Sequence, residues 1–295
     1  MLARLTAYPP EQAAITRSLH DGEALRIGRG PDNGLCLPHP SVSRSHAVLE
    51  AGEGTWRLRD LDSKNGSFVD GRRIEHGDAL AGGCWLRFGE VYCEFTPLSA
   101  DEQARGDDAW RRRHASAAAQ TARIDGMQRL EEVLDGSLRG VVELAQCDRG
   151  FVLVEGAGGL AVRASLALEP SQLSAREFSG SIGAVQRVLE RGRSVVANDI
   201  GNEPWLAGRA SVISAGLSTL VCLPLLDAGR AFGAIYADRT RPGPPVTTLD
   251  LELLEAFAEH AALWIAARRA RAQLARATAE ASWSAIVQAH EGAPA

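Results

Sequence analysis

The chain has 295 residues, of which 45% are apolar, and a formal net charge of −5. That length leads to an expectation of two domains with packed cores, and the acidic balance argues against broad nucleic-acid binding by charge alone. No apolar run approaches the roughly eighteen residues of a transmembrane helix, and the five scattered cysteines form no CxxC pair, which points to a reduced cytoplasm.

The first hundred or so residues read as all-β. Short runs at 25–27, 47–50, 56–59, 67–69, 84–88 and 91–96 are bounded by Gly, Pro, Asp and Asn. Gly-rich turns recur at 52–54, 70–71 and 82–83. Regular short strands with such turns suggest a sandwich. The opening MLARLTAYPPEQ lacks the apolar core and cleavage site of a signal peptide. Between the strands lie three polar loop blocks: Gly28-Arg29, Ser43-Arg44-Ser45-His46 and Ser63-Lys64-Asn65-Gly66. Arg, Lys, Ser and Asn on adjacent loops of a rigid scaffold make a small cationic surface that suits a phosphate monoester. No general base, nucleophile or metal-ligand set accompanies them, so the expected chemistry is recognition and not catalysis. Lys64 is the single lysine among 32 basic residues. A compact ammonium fits a loop tip where a guanidinium fork would crowd a ligand.

These blocks resemble the forkhead-associated (FHA) domain, the phosphothreonine-reading β-sandwich. The family pattern of GR, then SxxH, then DLxSxNGTxVNG is met by Gly28-Arg29, by Ser43 to His46 and by Asp60 to Gly71. Ser67 stands for the usual Thr, and Asp70-Gly71 for Asn-Gly. The resemblance covers residues 1–98. It implies that Arg29 and Ser43 bond the phosphate oxygens, that Arg44 and Lys64 add charge, and that Asn65 bonds the ligand backbone beside the phosphoresidue. It also implies that His46 ties loops together from inside, and that Gly28 and Gly66 serve backbone geometry. The implied partner is a phosphothreonine-containing protein downstream of a Ser/Thr kinase.

Residues 99–123 are polar, charged and Ala-rich, and read as a linker. Within them Arg111-Arg112-Arg113-His114 is too short, and too closely preceded by acids, to read as a nucleic-acid contact. Helical spacing follows at Leu130, Val133, Leu134, Leu138, Val141, Val142 and Ala145, weakened by Gly136 and Gly140. Strands are expected at 150–155 and 160–168, a helix at 182–191 ending at Gly192, and a strand at 194–197. A polar excursion from Asn198 to Ser214 precedes a hairpin of 219–226 with 231–238, and then a long helix at 248–279.

That order over 124–272 resembles a GAF domain, a relative of PAS-type sensors. The stretches that carry the resemblance are 182–195, Asn198-Asp199-Ile200, 218–225, 232–238 and the closing helix. Residues 273–295 read as a helical tail. GAF domains take cyclic nucleotides, bilins, haem or small effectors over the sheet. Here the cyclic-nucleotide signature is absent, and no cysteine or histidine is placed for bilin or haem. Pocket candidates are Phe178, Trp205, Cys222 and Tyr236, with core packing the preferred reading of each. Turn and cap roles are preferred for Asp199 and Asp238. No cofactor is expected, and the sequence does not name a GAF ligand.

The expected architecture is therefore multidomain: an N-terminal all-β FHA sandwich followed by a C-terminal α/β GAF domain with flanking helices. The expected function is non-catalytic, cytoplasmic signalling that couples phosphothreonine reading to a sensory or dimerising module. A homodimer through the GAF flanking helices is expected, because the closing helix runs on past Ile265 as AARRARAQLARATAEASW. No metal site, direct nucleic-acid contact or membrane contact is expected. The alternatives are a regulatory fragment of a transcription activator or nucleotide cyclase lacking its output domain, or a scaffold with an inactive phosphate site.

Overall fold

The computed structural model describes residues 1–10, 12–52, 54–75, 77–156, 158–168, 182–198 and 218–280, the last five as backbone. Eleven strands come first: β1 Leu2–Tyr8, β2 Ile15–His20, β3 Ala24–Gly28, β4 Leu35–Cys36, β5 Ala47–Gly52, β6 Thr55–Asp60, β7 Ser67–Val69, β8 Arg72–Arg73, β9 Asp78–Leu80, β10 Cys84–Phe88 and β11 Val91–Leu98. They form two sheets, in the orders β2-β1-β11-β10-β7-β8 and β4-β3-β5-β6-β9. The period-2 alternation of the sequence decides which face of each sheet is covered. In β6, Trp56 and Leu58 are buried while Arg57 is exposed; in β11, Val91, Cys93 and Phe95 are buried with intermediate residues between them. Leu5, Ile27, Leu49, Leu58, Leu86, Phe88 and Phe95 fill the space between the sheets, and Trp56 meets Phe95 edge-on at 6.2 Å. The sandwich expected from the sequence is present.

The sequence reading omitted β1 and β2. β1 is held between β2 and β11, pairing from Leu2↔Leu98 to Tyr8↔Tyr92. Its partner β11 lies some ninety positions away in the chain, and no local periodicity reports such a pairing.

The segment 99–123, read as a linker, lies almost wholly in a helix, α1 (Ala100–Asp125). Ser99 caps it: its hydroxyl accepts from the Glu102 N–H, and Glu102 reaches back to the Ser99 backbone. Only Ala117, Gln120 and Ile124 are buried, so the helix shows little apolar period. Of the basic run, Arg113 pairs with Asp250 at 3.0 Å and Arg111 with Asp108.

The remaining elements are α2 Leu130–Leu144, β12 Arg149–Gly156, β13 Gly159–Leu166, α3 Ile182–Arg191, β14 Val195–Asn198, β15 Thr219–Asp227, β16 Arg230–Arg239 and α4 Thr248–Glu280. The strands make one antiparallel sheet in the order β13-β12-β16-β15-β14. Helices α1, α2 and α4 cover one face around Leu138, Val141, Val152, Leu223, Ile235, Phe257 and Ile265. On the other face Phe151, Leu220, Cys222, Ala234 and Tyr236 meet Ala184, Val185 and Val188 of α3. Gly140, an unfavourable residue inside a helix, is explained by this packing: a Cβ there would lie 2.3 Å from the Phe257 ring.

The β1–β2 connection touches the second half. Ala14 forms a parallel bridge with Thr247: its N–H donates to the Val246 carbonyl at 2.9 Å, and its carbonyl accepts from the Thr248 N–H at 2.8 Å. Among the described residues, no helix is long and apolar enough to cross a membrane.

Candidate functional site

The loops after β3, before β5 and between β6 and β7 are locked together mainly by backbone atoms. The Arg29 N–H donates to the Ser43 carbonyl at 2.8 Å, and the Gly30 N–H to the Arg44 carbonyl at 3.0 Å. The Asn33 amide donates to the carbonyls of Gly30 (2.8 Å) and Arg44 (2.7 Å). A Cβ on Gly28 would stand 2.4 Å from the Arg44 carbonyl, so the close approach of these loops requires glycine there. From the third loop, the Lys64 N–H donates to Ser43 Oγ at 3.0 Å and Asn65 Nδ2 to the Ser41 carbonyl at 2.7 Å. The Ser41 hydroxyl accepts from the Glu90 N–H at 2.8 Å, which ties in the β10–β11 turn.

His46 lies beneath, fully buried, with its ring edge-on to Phe88 at 5.6 Å. The Ser43 N–H donates to its Nδ1 at 3.0 Å. A backbone N–H can only donate, so Nδ1 is the acceptor and the ring proton sits on Nε2, donating to the Gly66 carbonyl at 3.1 Å. One neutral tautomer thus joins the second loop to the third. Burial lowers the His46 pKa, opposed by the Gly66 carbonyl and the Asp60 charge.

Asp60 organises the third loop. Its carboxylate accepts from the Ser63 N–H (2.8 Å), the Ser63 hydroxyl (2.7 Å) and the Ser67 hydroxyl (2.5 Å). Burial alone would raise its pKa, but these donors and His46 outweigh burial and hold it below the ordinary carboxylate value. The Ser63 hydroxyl in turn accepts from the Gly66 N–H at 3.0 Å. Gly66 adopts φ +77, a left-handed conformation, and the Arg73 guanidinium packs where its side chain would be.

On this base Arg29, Arg44, Lys64 and Asn65 are exposed and Ser43 is half-buried. The Arg29 guanidinium is anchored through Nε to the Val42 carbonyl at 3.2 Å. The structure thus brings Arg29, Ser43, Arg44, Lys64 and Asn65 onto three linked loops, with Gly28, His46 and Gly66 under them. The sequence reading missed Asn33, Ser41 and Arg73. Asn33 and Ser41 act on backbone atoms of other loops, which no spacing rule signals. Arg73 sits in the two-residue strand β8, too short to be read.

In the second half, Cys222 and Tyr236 are cross-strand neighbours and both are fully buried. Tyr236 stacks on Phe151 at 5.0 Å, with planes 19° apart. Burial pushes the Cys222 thiol pKa up, so it is a neutral core group. Phe178, Trp205 and Asp199 lie outside the described residues. Asp238 corrects the sequence reading, which placed it in a turn or cap. It is a fully buried residue of β16 whose carboxylate accepts from the Tyr236 hydroxyl at 2.7 Å and from Arg149 Nε at 2.5 Å. His260 faces Asp125 on α1 at 2.6 Å. Among the described residues, no three His, Cys, Asp or Glu side chains gather to hold a metal ion.

Residues 25–89 match the FHA domain family and residues 129–265 the GAF domain family. The chain carries an FHA domain followed by a GAF domain. It is 44% identical over 61 residues to the ABC transporter ATP-binding/permease protein Rv1747 of Mycobacterium tuberculosis, 21% of this chain and 7% of that protein. It is 28% identical over 96 residues to the FHA domain-containing protein FhaB of Mycolicibacterium smegmatis, 32% of this chain and 62% of that one. The chain thus spans less than two thirds of either relative. Among solved structures, the FhaA FHA domain complexed with the intracellular domain of Rv3910 is 30% identical, matching 31% of this chain and 98% of that chain with a TM-score of 0.28.

Proposed function

We propose that residues 1–98 read phosphothreonine on a protein partner, in a non-catalytic signalling protein whose GAF half is the sensory and dimerising module. The observation that carries this reading is the convergence of Arg29, Ser43, Arg44, Lys64 and Asn65 on three loops cross-braced by buried His46 and Asp60. Anchoring Arg29 through Nε leaves its terminal nitrogens for phosphate oxygens. Ser43 Oγ accepts from Lys64 N–H, and a hydroxyl keeps one donor of its own, which suits a third phosphate oxygen. Asn65 spends an amide N–H on Ser41, and its carbonyl oxygen suits a partner backbone N–H. The braced loops hold like charges together before the ligand arrives, so little ordering cost falls on binding. Screening the full chain against a degenerate phosphothreonine-peptide library, beside the same library unphosphorylated, tests the reading. Selection of a motif only from the phosphorylated library is expected; equal retention of both contradicts it.

The dimer reading is supported by α4. Leu249, Leu263 and Leu274 are 53%, 68% and 66% exposed. At 100° per residue they fall within about 40° of one another around the helix, so these leucines form a line, spaced 14 and 11 positions apart, along one side of it. A second copy of this line would cover it, and two phosphate-reading sites in one particle would gain avidity on multiply phosphorylated partners. Light scattering of the full chain is expected to give twice the monomer mass, 31.4 kDa; a monomer at high concentration contradicts the dimer.

A further inference from the structure

A second basic site lies where the two halves of the chain meet. A cleft of about 600 Å³ is lined by Pro10 and Gln12 from the β1–β2 connection and by Arg187, Arg191, Arg193, Ser194 and Val195 from α3 and β14. Arg187 and Arg191 are one turn apart on α3 and share a face. The helix ends at Gly192, whose φ of +62 turns the chain and brings Arg193 and Ser194 in behind them.

Two observations mark this as more than a solvated basic surface. The Ser194 hydroxyl is buried and has no hydrogen-bond partner, an unusual state for a buried polar atom. Arg191 and Arg193 are drawn into no ion pair among the described residues, although acids outnumber bases in the chain. Converging guanidinium groups with a hydroxyl donor form the donor set that phosphate oxygens satisfy.

We infer that this junction cleft binds a small polyvalent phosphate, of the pyrophosphate class. Its volume falls in the range of roughly 300–1,000 Å³ that holds small ligands. Its walls come from different halves of the chain, one from the connection that Ala14 pins to Thr247 and the other from α3 and β14. An occupant therefore touches both halves at once.

Titration calorimetry of the full chain with inorganic pyrophosphate tests the proposal. The wild type and Arg29→Ala are expected to bind equally well, which separates this cleft from the phosphothreonine-reading loops. Arg191→Ala with Arg193→Ala should weaken binding at least tenfold, and Ser194→Ala several-fold. Both arginines are exposed, so the fold should survive; if it does not, the single change Arg193→Glu should give the same loss. No binding by the wild type overturns the proposal, as does binding lost in Arg29→Ala but kept in the double variant. A phosphothreonine peptide that binds Arg29→Ala and fails on the double variant, while pyrophosphate binds neither, would assign the cleft to a second phosphoresidue and overturn the small-ligand reading.

Discussion

At position 46 a neutral imidazole both accepts from the Ser43 N–H and donates to the Gly66 carbonyl, a pairing that alanine cannot reproduce. His46→Ala leaves a buried N–H and a buried C=O unpaired at about 1–3 kcal/mol each, and adds a cavity beside Phe88. A melting temperature lowered by several degrees is expected in thermal melts of the full chain; an unchanged value with lost peptide binding would move His46 into direct ligand contact. The sign of the pH effect follows from the lowered His46 pKa. The unfolded chain takes up a proton near the ordinary imidazole value while the folded chain resists, so stability is fully present above that value and is lost as pH falls through it towards the folded pKa. Melts between about pH 7.5 and 5 should fall with acid, and more steeply in wild type than in His46→Ala. Asp60, also lowered, contributes in the same direction but only in the carboxylate range. The loop cations were legible in the sequence because their spacing is local. Asp238 was not, because its partner Arg149 is 89 positions away.

At the scale of elements, the sequence shows what is periodic and hides what is paired at long range. The strands of the β15–β16 hairpin and helix α3 were legible from alternation, turn residues and the 3.6 period. β1 and β2 depend on β11, and α1 depends on a capping box and contacts to α2 and α4 rather than on an apolar stripe. Gly136 and Gly140 weakened the helical reading of α2, yet Gly140 is the point where Phe257 crosses. Two effects oppose each other when this glycine is replaced. Gly140→Ala gains about 1 kcal/mol of helix propensity, but overpacking against a ring 2.3 Å away costs typically about 1–3 kcal/mol. The clash is with a packed aromatic, so net destabilisation is expected in urea unfolding; a stabilised variant would show that Phe257 moves aside freely.

At the scale of the whole molecule, two domains are joined by α1 and by the Ala14–Thr247 bridge. If the leucines of α4 pair two copies, Leu263→Arg should place a charge in that seam and halve the mass measured by light scattering, with the single chain still folded because the residue is exposed in it. A dimer that persists would move the interface elsewhere. The proposed function rests on recognition of a phosphate group by the FHA loops. Its most direct test is calorimetric titration of the full chain with one library-selected peptide, phosphorylated and unphosphorylated, repeated with Arg29→Ala. Removing a charge-assisted contact costs roughly 1.5–3 kcal/mol, so binding only of the phosphopeptide and a loss of tenfold or more in Arg29→Ala are expected. Equal affinity for the two peptides, or an Arg29→Ala variant that binds like wild type, would contradict it.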